Sequence, residues 1–161
     1  MSNENQESFF IAESVVDSLL LFARQWDEGT AEDVVQNALV RLYELYKLAE
    51  PPENVAAWLF ALVRNESNDR FRRRKKHERL NKDYALSREH WFEPDHESRL
   101  DAALVTGQLQ RLPLEFREII VAKIWGELTY EEIAQVTGSS KSTVHRKYVE
   151  GLSLLKKMVQ K

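Results

Sequence analysis

The sequence predicts an all-α protein of two small helical domains joined by a flexible linker, the second domain containing a helix-turn-helix. Three observations carry that expectation. Apolar residues recur at steps of three and four through most of the chain, and strand-like alternation is absent. The 161 residues include only five Gly and four Pro, which favours long helices with few breaks. A stretch without sustained period, Asn81 to Arg99 with Pro94 inside it, separates two helical runs. The expected division is therefore a domain over 8–80, a linker over 81–99 and a domain over 100–161.

In the first domain, an apolar helix is expected from Ser8 to Arg24, ending before the break Asp27-Glu28-Gly29. Thr30-Ala31-Glu32-Asp33 resembles a capping box, with the threonine oxygen accepting a free backbone N–H and the acids lying near the positive helix end. The helix it opens places Val35, Leu39, Leu42 and Tyr46 on one face and Asp33, Gln36, Asn37 and Arg41 on another. After Pro51-Pro52, Asn54 can cap a third helix. There Trp58, Leu59, Leu62 and Val63 supply apolar contacts, Trp58 being read as core rather than as a stacking platform. Asn65, Asn68, Arg72 and Lys76 form one polar stripe. The linker is expected to hold at most a helical turn around Tyr84 to Arg88.

The second domain starts with a helix marked by Leu100, Ala103, Leu104, Leu109 and Leu112 and stopped by Pro113. The next helix, LEFREIIVAKIW, ends at Gly126, a residue suited to a left-handed helix stop. Thr129-Tyr130-Glu131-Glu132 is a second capping box, and its short helix stops at Thr137-Gly138. Ser139-Ser140 opens the last helix, with Val144, Tyr148, Leu152 and Leu155 on its apolar face. Short helix, glycine turn and polar-tipped longer helix make a helix-turn-helix pattern. Lys141, Ser142, His145 and Arg146 are expected on the outward face, where base edges and phosphates are met.

Charge supports a polyanion partner. The formal net charge is −3, but Lys and Arg number three against eleven Asp and Glu over 1–63, eight against three over 64–79, six against eleven over 80–138 and six against one over 139–161. Two basic islands thus sit in an acidic chain, and polyanion binding follows local charge. The first island joins Asn65 and Asn68 to the run Arg72-Arg73-Arg74-Lys75-Lys76. Amide side chains beside a cationic track suit single-stranded nucleic acid better than duplex.

Other classes find little support. No apolar run approaches a membrane span, and the acidic, polar N-terminus is not a secretory signal. The absence of cysteine removes disulfides, thiolate zinc sites and cysteine nucleophiles, and fits a cytoplasmic location. No phosphate-cradling glycine loop, HExxH pair or nucleophile-and-base pattern occurs, so no catalytic residue, metal site or cofactor is expected. His90, Glu93, Asp95 and His96 lack ligand-like spacing and read as solvated linker residues. Two rivals are a stand-alone helix-turn-helix regulator, and a metal-dependent nuclease using Glu66 and Asp69.

The segments FARQWDEGTAEDVVQNALVRLYEL, NVAAWLFALVRNESNDRFRRRKK and RLPLEFREIIVAKIWGELTYEEIAQVTGSSKSTVHRK together resemble the extracytoplasmic-function (ECF) sigma factors of bacterial RNA polymerase. The resemblance runs from about Leu19 to Leu155, in the family's order. It implies a non-enzymatic, monomeric initiation factor that carries core RNA polymerase to promoter DNA. Asp33, Gln36, Asn37 and Arg41 then face the β′ clamp of the polymerase. Asn54, Arg64, Asn65, Asn68, Arg72, Arg73 and Lys76 recognise and open the minus-ten element, where a non-template base is flipped out. Thr129, Ser140, Lys141, Ser142, Thr143, His145, Arg146 and Lys147 read the minus-thirty-five element, in a domain that also touches the β flap. An anti-sigma factor is a common further partner in that family. One departure is local: the Gly-Thr-Val-Lys-Ser-Arg run that often opens the last helix reads Ser142-Thr143-Val144-His145-Arg146-Lys147 here.

Overall fold

The computed structural model describes residues 15–80 and 107–160, and every regular element among them is helical. The part of the first predicted helix before residue 15, the whole of the predicted linker and the helix start at Leu100 to Leu104 lie outside the described residues.

Helix α1 (Val16–Arg24) buries Leu19, Phe22 and Ala23. A short 3-10 turn, Glu28–Thr30, leads into α2 (Ala31–Lys47), and here the capping differs from expectation. Asp27 accepts the Gly29 N–H at 3.2 Å, and the Thr30 hydroxyl donates to the other Asp27 oxygen at 3.2 Å. Thr30 makes no side-chain cap for α2. A carboxylate with two acceptor oxygens serves both donors at this corner, so the hydroxyl turns toward it. Ala31, Val34, Val35, Ala38 and Leu42 line the buried face of α2, which extends the expected stripe.

Asn54 caps α3 (Val55–Leu80) as expected, its Oδ1 accepting the Ala57 N–H at 3.1 Å. The buried residues Ala57, Leu59, Phe60, Val63 and Ser67 all fall in its first half. Residues 72–80 are exposed throughout, so the basic run occupies an end of the helix that stands largely clear of the core, tied back through Arg74 to Asp27. Trp58 is half-buried and packs on the core, in keeping with its reading as a core residue.

Pro113 starts α4 (Leu114–Ile124), in which Phe116 and the whole run Glu118 to Ala122 are buried. A helix apolar on most sides belongs at the centre of a packed group, and α4 touches α1, α5 (Tyr130–Thr137) and α6 (Lys141–Val159). Gly126 does not supply the left-handed stop. That conformation falls on Glu127, with φ of 54°. Gly126 is needed for space: a Cβ there would lie 2.6 Å from the Ala122 carbonyl oxygen and 2.7 Å from Cζ of Phe60. A residue of the second domain thus makes room for an aromatic ring of the first. The two helical units share one continuous apolar cluster, with α1 packed on α4 and α3 on α5.

Candidate nucleic-acid interface

The helix-turn-helix is built by local rules. Thr129 Oγ1 accepts the Glu132 N–H at 3.1 Å while Glu132 Oε1 accepts the Thr129 N–H at 3.0 Å, a complete capping box. Gly138 closes α5 at φ 70°, a conformation open to glycine without a steric cost. Ser140 caps α6 by accepting the Thr143 N–H at 3.2 Å, and Val144 is fully buried behind the turn. Lys141, Ser142, His145 and Arg146 are all exposed. Tyr130, Ser140, Lys141, Ser142 and His145 border a groove of about 580 Å³ at the tip of α6.

Tyr130 organises that groove. Its ring meets His145 edge-on at 5.1 Å and Tyr148 at 5.7 Å, and Lys123 Nζ lies 4.4 Å from its centre. Burial, with Tyr130 beside it, pushes the Tyr148 hydroxyl above its ordinary pKa. Thr143 and Lys147 are only half-exposed, and Lys147 pairs with Glu115 at 3.3 Å. Lys141 pairs with Glu131 at 3.2 Å. Exposed pairs of this kind contribute little and yield readily to a phosphate.

In the first domain, Asn65, Arg72, Arg73 and Lys76 are exposed as the stripe requires. Asn68 is half-buried, and its Oδ1 accepts the Trp26 indole N–H at 2.8 Å, so one end of its amide holds the fold. Arg74 is drawn inward by Asp27 and Glu78, each at 3.2 Å. Desolvation opposes its charge, yet these carboxylates keep its pKa raised. Two further predicted residues are engaged across the domain boundary. Arg64 forks onto Glu118, Nε to Oε2 at 2.8 Å and Nη2 to Oε1 at 3.3 Å. Asn54 Nδ2 donates to Glu132 Oε2 at 2.7 Å.

Asp33, Gln36, Asn37 and Arg41 are exposed on α2, clear of its buried face. Arg41 borders a groove of about 460 Å³ together with Asn65 and Arg73, so it also lies beside the polar stripe. Glu66 and Asp69, the acids of the nuclease reading, are occupied: Glu66 receives Arg70 and Asn37, each at 3.1 Å, and Asp69 lies 3.9 Å from Arg72. Among the described residues no group of His, Asp and Glu is arranged to hold a metal, and no helix is long and apolar enough to cross a membrane.

The chain matches sigma-70 region 2 over residues 19–77 and sigma-70 region 4 over residues 103–155. It is 30% identical over 136 residues to the RNA polymerase sigma-E factor of Streptomyces coelicolor, covering 81% of this chain and 75% of that protein. The chain belongs to the sigma-70 family. Its relatives point to the ECF branch. It is 28% identical over 118 residues to the ECF RNA polymerase sigma factor SigM of Bacillus subtilis, covering 72% of this chain and 71% of that protein. The sigma factor RpoE from Bartonella quintana, solved in complex with the anti-sigma factor NepR, shares the fold. Its TM-score is 0.81 at 23% identity, covering 99% of this chain and 98% of that one.

This sigma factor is accordingly an alternative initiation factor that directs core RNA polymerase to promoters. Region 2 accounts for the first half of the chain, which a stand-alone helix-turn-helix regulator would leave idle. Glu118, Phe60 and Trp125 escaped sequence reasoning. Glu118 had one visible signal: an acid inside the apolar run of LEFREIIVAKIW needs a cationic partner. That the partner would be Arg64, 54 residues earlier, had none.

Proposed function

We propose that the two regions divide initiation between them, with domains over 8–80 and 100–161 and a linker over 81–99. Asp33, Gln36, Asn37 and Arg41 dock the factor on the β′ clamp of core polymerase. Asn54, Arg64, Asn65, Asn68, Arg72, Arg73 and Lys76 take the minus-ten strand, Asn65 lying nearest the flipped base. Thr129, Ser140, Lys141, Ser142, Thr143, His145, Arg146 and Lys147 set the upstream register by contact with the minus-thirty-five duplex, while the same domain meets the β flap. Tethering two weak DNA contacts on one polymerase raises the effective concentration of the second. The factor acts as a cytoplasmic monomer and catalyses nothing itself. A protein inhibitor of the anti-sigma class is a further proposed partner, on the strength of the RpoE likeness.

The observation that carries this reading is the coexistence of three exposed polar sets on one scaffold: the α2 face, the α3 stripe and the tip of α6. Each has the chemistry of one expected partner. Permanganate footprinting of holoenzyme on a responsive promoter tests the assignment. Wild type is expected to expose unpaired thymines around minus ten, and Asn65→Ala to reduce that signal by about tenfold, the worth of one good base contact. Undiminished opening by Asn65→Ala together with Arg72→Ala would remove the stripe from the promoter.

A further inference from the structure

The last helix carries one apolar side chain on an otherwise polar face. Of the exposed positions of α6 between 141 and 157, only Val149 is apolar, and it is 52% exposed. A lone surface valine is ordinary in itself. Its place on the helix is not. At about 3.6 residues per turn, Val149 lies two turns beyond Ser142 and one turn from both Arg146 and Ser153, so these residues share a face. The buried residues Val144 and Gly151 lie on the opposite side. A Cβ at Gly151 would come within 3.0 Å of Ile120 Cδ1 and 3.2 Å of Phe116 Cβ, so α6 sits close on α4. That seat and the Ser140 cap fix the rotation of α6 and hold Val149 outward.

Charge on the same helix favours a polyanion, with six Lys and Arg against one acid over 139–161. Lys141 and Lys147 are already paired with Glu131 and Glu115. Arg146, on the face of Val149, has no ion-pair partner among the described residues.

We propose that Val149 is a specificity-determining residue of region 4, its methyl groups packing on the C5-methyl of a thymine in the minus-thirty-five duplex. The proposal rests on the reading that places the tip of α6 in the major groove of that element.

The C5-methyl of thymine is the apolar group on the floor of the major groove, where the other base edges offer donors and acceptors. Valine has neither a donor nor an acceptor to return. Against guanine, cytosine or adenine it would desolvate a polar edge without pairing it. A rise of about 1.5 Å per residue carries Val149 about 10 Å past Ser142, or about three base-pair steps of 3.4 Å. Ser142, Arg146 and Val149 thus meet successive positions of one element, two by hydrogen bonding and the third by apolar fit.

Uracil pairs as thymine does and lacks only that methyl, so it serves as the probe. Holoenzyme is titrated onto a responsive promoter in which each thymine of the minus-thirty-five element, on either strand, is replaced in turn by deoxyuridine. Wild type is expected to lose about fourfold in affinity at one position and little elsewhere, the worth of about one buried methyl. Val149→Ala, at an exposed site where truncation leaves the core intact, is expected to lose a similar factor on the parent promoter. It should lose nothing further on the deoxyuridine promoter. Two results overturn the proposal: no single deoxyuridine weakens wild type, or Val149→Ala weakens binding equally with and without that methyl. The second would move Val149 to a contact with polymerase or the DNA backbone. Arg146→Ala and a scrambled minus-thirty-five element separate these outcomes from failure of the underlying reading. Binding indifferent to both removes α6 from the groove altogether. Binding that depends on both, with no deoxyuridine effect, removes Val149 alone.

Discussion

At the scale of single residues, the informative cases are side chains with two employers. Asn68 sits in the polar stripe, yet its Oδ1 is the acceptor for the indole N–H of Trp26, a residue 7% exposed. Removing it strands that donor. Asn68→Ala is therefore expected to lose about 1 kcal/mol of stability in urea titration, whereas exposed Asn65→Ala should leave the midpoint unchanged. Glu132 has a similar double use. Burial pushes its carboxyl up, but hydrogen bonds from the Thr129 backbone, Asn54 and the Thr129 hydroxyl, with Lys123 nearby, outweigh that and hold its pKa below the ordinary carboxylate value. A depressed carboxylate contributes stability above its unfolded pKa, near 4.3, and loses that contribution as pH falls through the folded value. The capping box and the Asn54 contact should thus be intact at neutral pH and weaken only in acid. Thermal melts of Glu132→Gln and wild type should differ at pH 7 and converge as the pH drops below about 4.

At the scale of elements, legibility followed locality. The helix-turn-helix could be read residue by residue because each of its determinants lies within a few positions of its partner: Thr129 with Glu132, Gly138 at the turn, Ser140 with Thr143. The corner before α2 misled for a related reason. Thr30 had the right spacing for a cap, but Asp27, three residues earlier, offered the stronger acceptor and took the threonine hydroxyl as well as Gly29. Asp27→Ala, which also releases Arg74, is expected to lower stability by about 1 kcal/mol in denaturant titration, and Thr30→Val by less. Gly126 reads in the sequence as a left-handed helix stop, but the left-handed residue is Glu127, and glycine is needed at 126 for space, a reason that lies outside its own helix. Gly126→Ala must displace Phe60 or distort the Ala122 turn, and a loss of about 1–3 kcal/mol in the same titration is expected. The contacts between α3 and the second domain were not legible at all. Nothing in a period of 3.6 tells which distant helix a given face will meet.

At the scale of the whole molecule, two domains recognisable by pattern share one apolar cluster and are pinned by Arg64–Glu118, Asn54–Glu132 and Ser18–Trp125. A shared core of this kind should unfold as one unit, so calorimetry is expected to show a single transition for wild type and two for Glu118→Gln. In the proposed division of labour, each of the three exposed polar surfaces meets one partner of initiation, and together they direct polymerase to the promoter. Run-off transcription with purified core RNA polymerase tests it most directly. Wild type is expected to yield promoter-specific transcripts that are lost with Asp33→Ala/Gln36→Ala. No transcript from wild type on any genomic template, or full activity in the double variant, would contradict the account.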